Sequence, residues 1–255
     1  MPAADLVTGP PDFVGVGAQR SGTTWWFDSL LAHPAVRPAR SGRKELHFFD
    51  AFGARPMPDG AIREYHELFP RAAGQIAGEW TPRYMVDVWT PRLLKRAAPE
   101  ARILVMLRDP VERFRSGVLH RLRRAPEGRR QMIAVDAIER GRYAWQVRTI
   151  LDLFGPERVL VLQYEACRRD PSAEYRRTLR FLGVDDAPEH VPDFSRPRGS
   201  TTEPDKSELW PELVRALEAT LTPDVEALLG VVPDLDVRLW PNFTQLAAPA
   251  GSGPR

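Results

Sequence analysis

The chain has 255 residues, 43% of them hydrophobic, and its 36 basic and 34 acidic side chains leave a formal net charge of +2. This length and polarity are typical of one globular domain, and we expect it over residues 12–246, between a flexible N-terminus (1–11) and a disordered tail (247–255). The sequence contains no apolar run of membrane-spanning length, no signal-peptide pattern at its start and a single cysteine, Cys167, which excludes an intrachain disulfide. We therefore expect a soluble protein of the reducing cytoplasm.

Short apolar runs alternate with segments of helical periodicity along the chain. The predicted strands are residues 12–18, 75–80, 102–108 and 158–164. The predicted helices are residues 22–32, 61–69, 87–98, 109–124, 136–154, 171–182, 206–220 and 223–229. This alternation predicts an α/β fold with three layers, in which helices flank a central parallel sheet and ligands bind at the carboxyl ends of the strands.

The first predicted strand runs into a segment with the spacing of a phosphate-binding loop. It reads GAQRSGTT (17–24), with Thr23 where a nucleotide-hydrolysing P-loop carries its lysine. A helix that begins here directs its free N–H groups and its positive dipole end at the turn, where an anion would bind. Arg20, Ser21 and Thr24 add further donors. The segment predicts a P-loop-NTPase-like fold with an anion site at this turn.

A second positive charge is predicted at the neighbouring strand end, because Arg108 closes the apolar run ILVML. A P-loop kinase or NTPase would place a carboxylate for magnesium there, so this alternative is disfavoured. A nucleic-acid or polyanion-binding protein is another alternative, motivated by the twelve arginines of residues 101–150. Aromatic residues are not interleaved with these basic runs as a base-stacking surface requires.

Three strings together resemble the PAPS-dependent sulfotransferase family: QRSGTTW (19–25), KELHFFD (44–50) and RDPVERFRS (108–116). Further matches are GEWTPRY (78–84), LQYEACRRDP (162–171) and RFLGV (180–184), so that the similarity covers most of residues 12–240. Within the family, these strings resemble the carbohydrate or heparan-type branch, and we expect a bacterial protein. The resemblance implies 3′-phosphoadenosine 5′-phosphosulfate (PAPS) as co-substrate, 3′,5′-adenosine bisphosphate (PAP) as product and no required metal. It also implies a small-molecule or carbohydrate acceptor, without a nucleic-acid or membrane partner, and leaves the oligomeric state open.

The resemblance also implies roles in binding the donor. A 5′-phosphosulfate loop would comprise Arg20, Ser21, Gly22, Thr23 and Thr24, in which Arg20 stabilises the negative charge that grows on the oxygen bridging to sulfur. Arg108 and Ser116 would bind the 3′-phosphate, with Arg198 and Gly199 folding over it. Trp25 and Tyr164 would contact the adenine.

The family match places the catalytic base at Glu45, assisted by His47. In an extended segment these two side chains point to the same side, while Leu46 and Phe48 face the core. An exposed Lys44–Glu45 ion pair beside a packed histidine is the alternative explanation of the same residues.

GEWTPRY departs from the family pattern, since Trp80 stands where carbohydrate sulfotransferases often carry lysine. Lys44 and Arg83 are candidates to replace that cation. Trp80 itself is predicted to line the acceptor pocket, which would favour an acceptor with an apolar or ring face.

Overall fold

The computed structural model describes residues 6–53, 55–122, 126–195 and 209–247. Its five strands, all parallel to their neighbours, form one sheet in the order β2-β3-β1-β4-β5. They are β1 (Phe13–Gly17), β2 (Val36–Pro38), β3 (Ile76–Trp80), β4 (Arg102–Leu107) and β5 (Val159–Gln163). The four predicted strands are present, and β2 escaped prediction because three residues are too few to show a pattern.

The α-helices in the described residues follow the predicted alternation. They are α1 (Thr23–Leu30), α2 (Asp59–Glu67), α3 (Thr90–Ala97), α4 (Pro110–Leu122), α5 (Arg130–Glu139), α6 (Tyr143–Phe154), α7 (Tyr164–Arg169), α8 (Pro171–Leu182) and α9 (Pro211–Leu229). None of these helices combines the length and the apolar character that a membrane crossing needs.

Two hydrophobic cores lie on opposite faces of the sheet, because successive strand side chains point in opposite directions. On β4, Ile103 and Val105 enter the larger core with α2, α3, α4, α6 and α9, whereas Leu104 and Met106 enter the smaller core. The smaller core is completed by α1, α7 and α8. The chain therefore has the predicted P-loop-like α/β fold, with helices on both faces of a parallel sheet.

The predicted helix 136–154 is two helices, α5 and α6. The chain turns at Gly141, whose N–H donates to Ile138 O (2.8 Å). The side-chain amide of Gln146 donates to Glu139 O at 3.0 Å and to Arg142 O at 2.6 Å, which satisfies carbonyls at the break. Gly141 and the side-chain amide of Gln146 thus interrupt a segment whose hydrophobic periodicity is helical throughout.

The predicted helices 206–220 and 223–229 are joined in α9, which begins at Pro211 and contains Pro223. Proline removes one backbone donor and normally breaks a helix. Here the buried side chains on both sides of it, Leu217, Leu221, Val225 and Leu228, belong to one stripe in the larger core. Packing of that stripe overrides the local cost of the proline.

Part of the segment before residue 12 contacts the domain. Val7 forms an isolated antiparallel bridge with Arg71, with both N···O distances at 3.0 Å. The Arg71 guanidinium donates to Pro10 O at 3.0 Å and pairs with Asp12 at 2.8 Å. Residues 1–5 and 248–255 lie outside the described part of the chain.

Trp80 is fully buried in the smaller core, so the prediction that it lines the acceptor pocket is wrong. Its position on β3 opposes Gly15 of β1, and its indole N–H donates to Gly17 O at 3.1 Å. A Cβ atom at Gly15 would lie 2.1 Å from the indole ring. The indole therefore fills the space that a glycine leaves on the central strand.

Replacement of Gly15 by alanine is expected to destabilise the fold by roughly 1–3 kcal/mol or more, because neither the buried indole nor the strand has room for the methyl group. Urea denaturation measures the loss. Gly60→Ala on α2 is the control, since nothing lies within 4 Å of its new Cβ, and it should be neutral or stabilising by up to about 1 kcal/mol. Equal stability of the two variants would contradict the close packing of Trp80 against Gly15.

Candidate active site

The turn between β1 and α1 forms an anion cradle, which comprises residues 18–24. Gly22 caps α1 with φ at +84° and without a side-chain cap. The first intrahelical bond runs from Trp26 N to Gly22 O (3.1 Å), so that the N–H groups of residues 23–25 have no partner within the helix. A Cβ at Gly22 would also come within 2.6 Å of the Tyr164 ring. The positive φ and the close approach of Tyr164 both require glycine at position 22. The turn also presents free N–H groups at the place where the sequence predicts a bound anion.

Lys44 places an ammonium group at the anion cradle, which has Thr23 where a nucleotide-hydrolysing P-loop carries its lysine. Its Nζ donates to Thr23 Oγ1 at 3.1 Å and lies 2.9 Å from Glu45 Oε1. Only 14% of the side chain is exposed. Arg83, the other predicted substitute, pairs instead with Asp87 at 3.1 Å. Of the two candidates, Lys44 is the one in contact with the anion cradle.

A cavity of about 200 Å³ opens beside the cradle. Its lining is mainly polar and basic, from Gln19, Arg20, Glu45, His47, Pro82, Arg83, Arg113, Gly117, Ala137 and Arg140. The structure thus brings the three predicted catalytic residues, Arg20, Glu45 and His47, to one cavity from two separate segments. We call it the reaction cavity.

The Glu45 carboxylate is held by a cation on one side and an imidazole on the other. Its Oε1 faces Lys44, and its Oε2 lies 3.2 Å from His47 Nε2. His47 Nδ1 lies 3.0 Å from Asp50 Oδ2. Asp50 was not predicted, although it follows His47 by three residues within KELHFFD. With a carboxylate at each nitrogen, the imidazole has a fixed orientation toward Glu45.

The segment that carries Glu45 and His47 is less extended than predicted. His47 has φ at +53° and caps a 3₁₀ helix, Phe48–Phe52. The predicted sidedness is nevertheless present, because Leu46 and Phe48 pack against the larger core while Glu45 and His47 face the reaction cavity.

The buried carboxylate of Glu79 anchors this segment to β3. It accepts hydrogen bonds from Tyr65 Oη (2.8 Å), Thr81 Oγ1 (2.5 Å), Tyr84 Oη (3.2 Å) and Leu46 N (3.2 Å). Thr81 Oγ1 accepts from Leu46 N at 3.0 Å. Burial raises the pKa of Glu79 to about 7, and the hydrogen bonds oppose that rise. Sequence reasoning missed this network because the donors come from three separate parts of the chain.

Two more backbone bonds hold the same segment. Phe48 N donates to Tyr84 Oη at 2.9 Å, and Trp80 N donates to Lys44 O at 2.9 Å. The backbone on both sides of Glu45 and His47 is therefore fixed to residues 79–84. Within GEWTPRY, Glu79, Thr81 and Tyr84 hold this segment, and Pro82 and Arg83 line the reaction cavity.

Arg108 follows β4 and reaches the cradle. Its Nη1 donates to Arg20 O at 3.3 Å, and its guanidinium lies 4.8 Å from the centre of the Tyr164 ring. Arg108 O accepts a hydrogen bond from Tyr143 Oη at 3.0 Å. Ser116 is half-buried on α4, six residues after its first residue and so about two turns along the helix. Both predicted 3′-phosphate residues thus belong to the elements that follow β4.

Asp109, which is buried, and Glu165, which is half-buried, form a second carboxylate network next to Arg108. Asp109 N donates to Glu165 Oε1 at 3.0 Å, and Trp240 Nε1 donates to Glu165 Oε2 at 3.0 Å. Asn242 donates to Asp109 Oδ2 from its backbone N (3.1 Å) and from its side chain (2.9 Å). Burial raises the pKa of Glu165 to about 7 and also raises that of Asp109. None of these partners could be paired from the sequence.

The predicted adenine residues lie next to one another. Trp25 is half-buried, with Tyr164 and Phe194 in edge-to-face contact at centroid distances of 6.5 and 6.0 Å. Tyr164 begins α7 rather than ending a strand. Its ring packs against Gly22 and lies 4.8 Å from the Arg108 guanidinium, and its contact with the adenine stays a prediction.

Two predicted site residues, Arg198 and Gly199, lie outside the described residues. Within the described ranges, no group of three or more His, Cys, Asp or Glu side chains is arranged to hold a metal ion.

Comparison with known proteins connects this geometry to a family. Residues 11–188 match the model of the sulfotransferase family. The chain is 31% identical to human heparan sulfate glucosamine 3-O-sulfotransferase 6 over 201 residues, which cover 72% of this chain and 56% of that protein. It is 30% identical to mouse heparan sulfate glucosamine 3-O-sulfotransferase 3B1 over 188 residues, which cover 68% and 46% of the two chains. The chain thus spans about half the length of the curated relatives it matches.

The same similarity is found among solved structures. A sulfotransferase from Alicyclobacillus acidocaldarius superposes with a TM-score of 0.71 at 26% identity, covering 90% of this chain and 98% of that one. The sulfotransferase STF9 from Mycobacterium avium has the same fold, with a TM-score of 0.52 at 17% identity.

The raised pKa of Glu79 predicts a pH-dependent stability. The folded state holds the Glu79 proton up to about pH 7, whereas an unfolded glutamate releases it near pH 4.3. The Glu79 contribution to the free energy of unfolding is therefore full at low pH and falls by about 3 kcal/mol as the pH rises from roughly 4.5 to 7. In Glu79→Gln this part of the pH dependence should disappear, as urea denaturation between pH 5 and 8 would measure.

Glu165→Gln is the companion variant, because Glu165 has a similarly raised pKa at a separate site. It should remove a second portion of the same pH dependence. Wild-type and Glu79→Gln curves that run parallel over this range would contradict the assignment.

Proposed function

This chain belongs to the sulfotransferase family, and from this premise we propose that it transfers the sulfuryl group of PAPS to a hydroxyl or amine of a carbohydrate or small-molecule acceptor. One contact carries the proposal: Lys44 Nζ lies within 3.1 Å of both Thr23 Oγ1, in the anion cradle, and Glu45 Oε1, in the reaction cavity. Through this contact, the Lys44 ammonium lies between the loop that would bind PAPS and the candidate base Glu45.

The donor fits the charges of the described site. The free N–H groups at the start of α1 would hold its 5′-phosphate, as helix N-termini hold phosphate in other α/β proteins. Arg108 and Ser116 would hold the 3′-phosphate, and Trp25 would stack on the adenine. Each of these positions corresponds to the family motif residue at that place.

Glu45 takes the acceptor proton in the reaction that we propose. As the acceptor oxygen or nitrogen forms its bond to sulfur, the bond from sulfur to the bridging oxygen of the 5′-phosphate breaks, and PAP leaves with that electron pair. His47, held by Asp50, orients Glu45 through their 3.2 Å contact. The base is thus fixed before the acceptor binds.

Lys44 and Arg20 would stabilise the charge that develops on the bridging oxygen. Their roles differ chemically, because a guanidinium remains protonated whereas a lysine ammonium can also give up a proton. Lys44 is therefore our candidate for protonation of the leaving group. Lys44 would also replace the cation that carbohydrate sulfotransferases often carry at the position of Trp80.

The reaction cavity favours a carbohydrate acceptor. Arg83, Arg113 and Arg140 line it together with Gln19, and such donors match hydroxyl, carboxylate and sulfate groups. Two of the most similar relatives are named as heparan sulfate glucosamine sulfotransferases, which agrees with this choice. The apolar acceptor that a pocket-lining Trp80 would have favoured has no counterpart, since Trp80 is in the core.

Calorimetric titration with PAP, compared with ATP and magnesium, tests the donor site without knowledge of the acceptor. We expect PAP to bind with a micromolar Kd, and Arg108→Ala to weaken it by roughly 10- to 100-fold, since a hydrogen bond to a charged group is worth about 1.5–3 kcal/mol. Ser116→Ala should weaken it less.

Arg92→Ala is the control, because Arg92 is exposed on α3 and its guanidinium donates to Val88 O. It should leave the PAP affinity unchanged. Binding of ATP without binding of PAP would overturn the proposed donor.

Turnover of radiolabelled PAPS with desulfated and partially sulfated heparan oligosaccharides, and with a panel of phenols, tests the base. Glu45→Gln should lower kcat by roughly 100- to 10,000-fold, because the amide cannot accept the acceptor proton, while PAP affinity stays as in the wild type. Glu64→Gln, an exposed position on α2, is the control and should retain full turnover. A Glu45→Gln protein with wild-type kcat would remove Glu45 from this role.

A further inference from the structure

A segment after α9 is attached to the carboxyl ends of β4 and β5. It comprises residues 236–243, which we call the C-terminal strap, and it lies beyond the residues 11–188 that match the family model. Three polar pairs attach it to the sheet: Gln163 with Asp236, Glu165 with Trp240 and Asp109 with Asn242. The last pair adjoins Arg108.

Asp109 connects the strap to both elements of the predicted 3′-phosphate site. Its Oδ1 accepts from Val111 N at 2.9 Å and from Glu112 N at 3.2 Å, which caps α4, the helix that carries Ser116. Its Oδ2 accepts both bonds from Asn242. The two oxygens of one side chain thus join the strap to the start of the helix.

Asp109 shares a peptide group with Arg108, its neighbour in the chain, and two other residues hold that group. Asp109 N donates to Glu165 Oε1 at 3.0 Å, and Arg108 O accepts from Tyr143 Oη at 3.0 Å. The peptide group between Arg108 and Asp109 is therefore held at both its oxygen and its nitrogen. A shift of Asp109 would move Arg108 with it.

Asp109 needs the donors of the strap because its side chain is fully buried. Among the described residues, its carboxylate accepts from four N–H groups, two on α4 and two on Asn242. A buried carboxylate without such donors is costly, and it would compete for the nearby Arg108 guanidinium. Asn242 supplies half of the hydrogen bonds that keep Asp109 turned away from Arg108.

We propose that Asn242 is a positioning residue, which holds Asp109 and thereby sets Arg108 and the start of α4 in the geometry that binds the 3′-phosphate. The inference rests on the proposed function, since it takes PAP as the ligand of Arg108 and Ser116. It adds to the donor site a residue from outside the family match, 133 positions along the chain from its partner.

The test compares the affinities of PAP and 5′-AMP, which lacks the 3′-phosphate. The ratio of the two Kd values reports the 3′-phosphate contribution alone. In Asn242→Ala we expect PAP to bind roughly 10-fold more weakly, in line with the loss of one hydrogen bond to a charged group, while the affinity for 5′-AMP stays as in the wild type. Asn242→Leu, which has a similar shape but no donor, should give the same result if the alanine variant does not fold.

Gln163→Ala is the matched control. It removes the bonds of 2.9 and 3.2 Å to Asp236 at the other end of the strap without touching Asp109. We expect it to lower the Tm and to leave the ratio unchanged. An unchanged ratio in the Asn242 variants, or an equal loss in Gln163→Ala, would overturn the proposal. Failure of the wild-type protein to bind PAP would instead overturn the proposed function, and the inference with it.

Discussion

Burial of a carboxylate is favourable only where hydrogen bonds replace the water that it loses, and the site of this protein depends on that constraint at Glu79. The side chain enters the larger-core side of the sheet, where two tyrosines, a threonine and a backbone N–H satisfy it. Each carboxylate oxygen accepts two of these bonds, so that the loss of any one donor removes half of the compensation at that oxygen. The position of Leu46, and so of Glu45 and His47 on either side of it, follows from that requirement.

A second hydrogen-bonded carboxylate network lies next to Arg108, at the predicted 3′-phosphate site. Asp109 is buried after β4 and Glu165 is half-buried after β5, and their partners come from α4, the backbone of Asp109 itself and the C-terminal strap. One carboxylate network therefore holds the segment with the candidate base, and another holds the arginine at the strand end. Each network attaches a loop to a rigid sheet, which favours a site that is organised before its ligands bind.

The parts of the fold that local patterns determine were predictable. Apolar runs revealed four of the strands, and the motif GAQRSGTT revealed a cradle whose glycine the structure shows to be required at position 22. Trp80 was misplaced because a motif match does not tell which face of a strand a side chain occupies, and Glu79 and Thr81 occupy the face toward the site. The partners Asn242 and Asp109 are distant in sequence, so that only the folded chain reveals them. Asp50 was within reach, three residues after a histidine that needed a partner.

The C-terminal strap sets a minimum size for the folding unit. A fragment ending at residue 188, where the sequence match ends, would lose the indole that donates to Glu165 and the amide that donates to Asp109. It would also lose α9 and the indole of Trp240 from the larger core. The residues that the family model matches are thus fewer than those that the packing of the fold requires, and a boundary for expression or for domain transplantation belongs after Phe243.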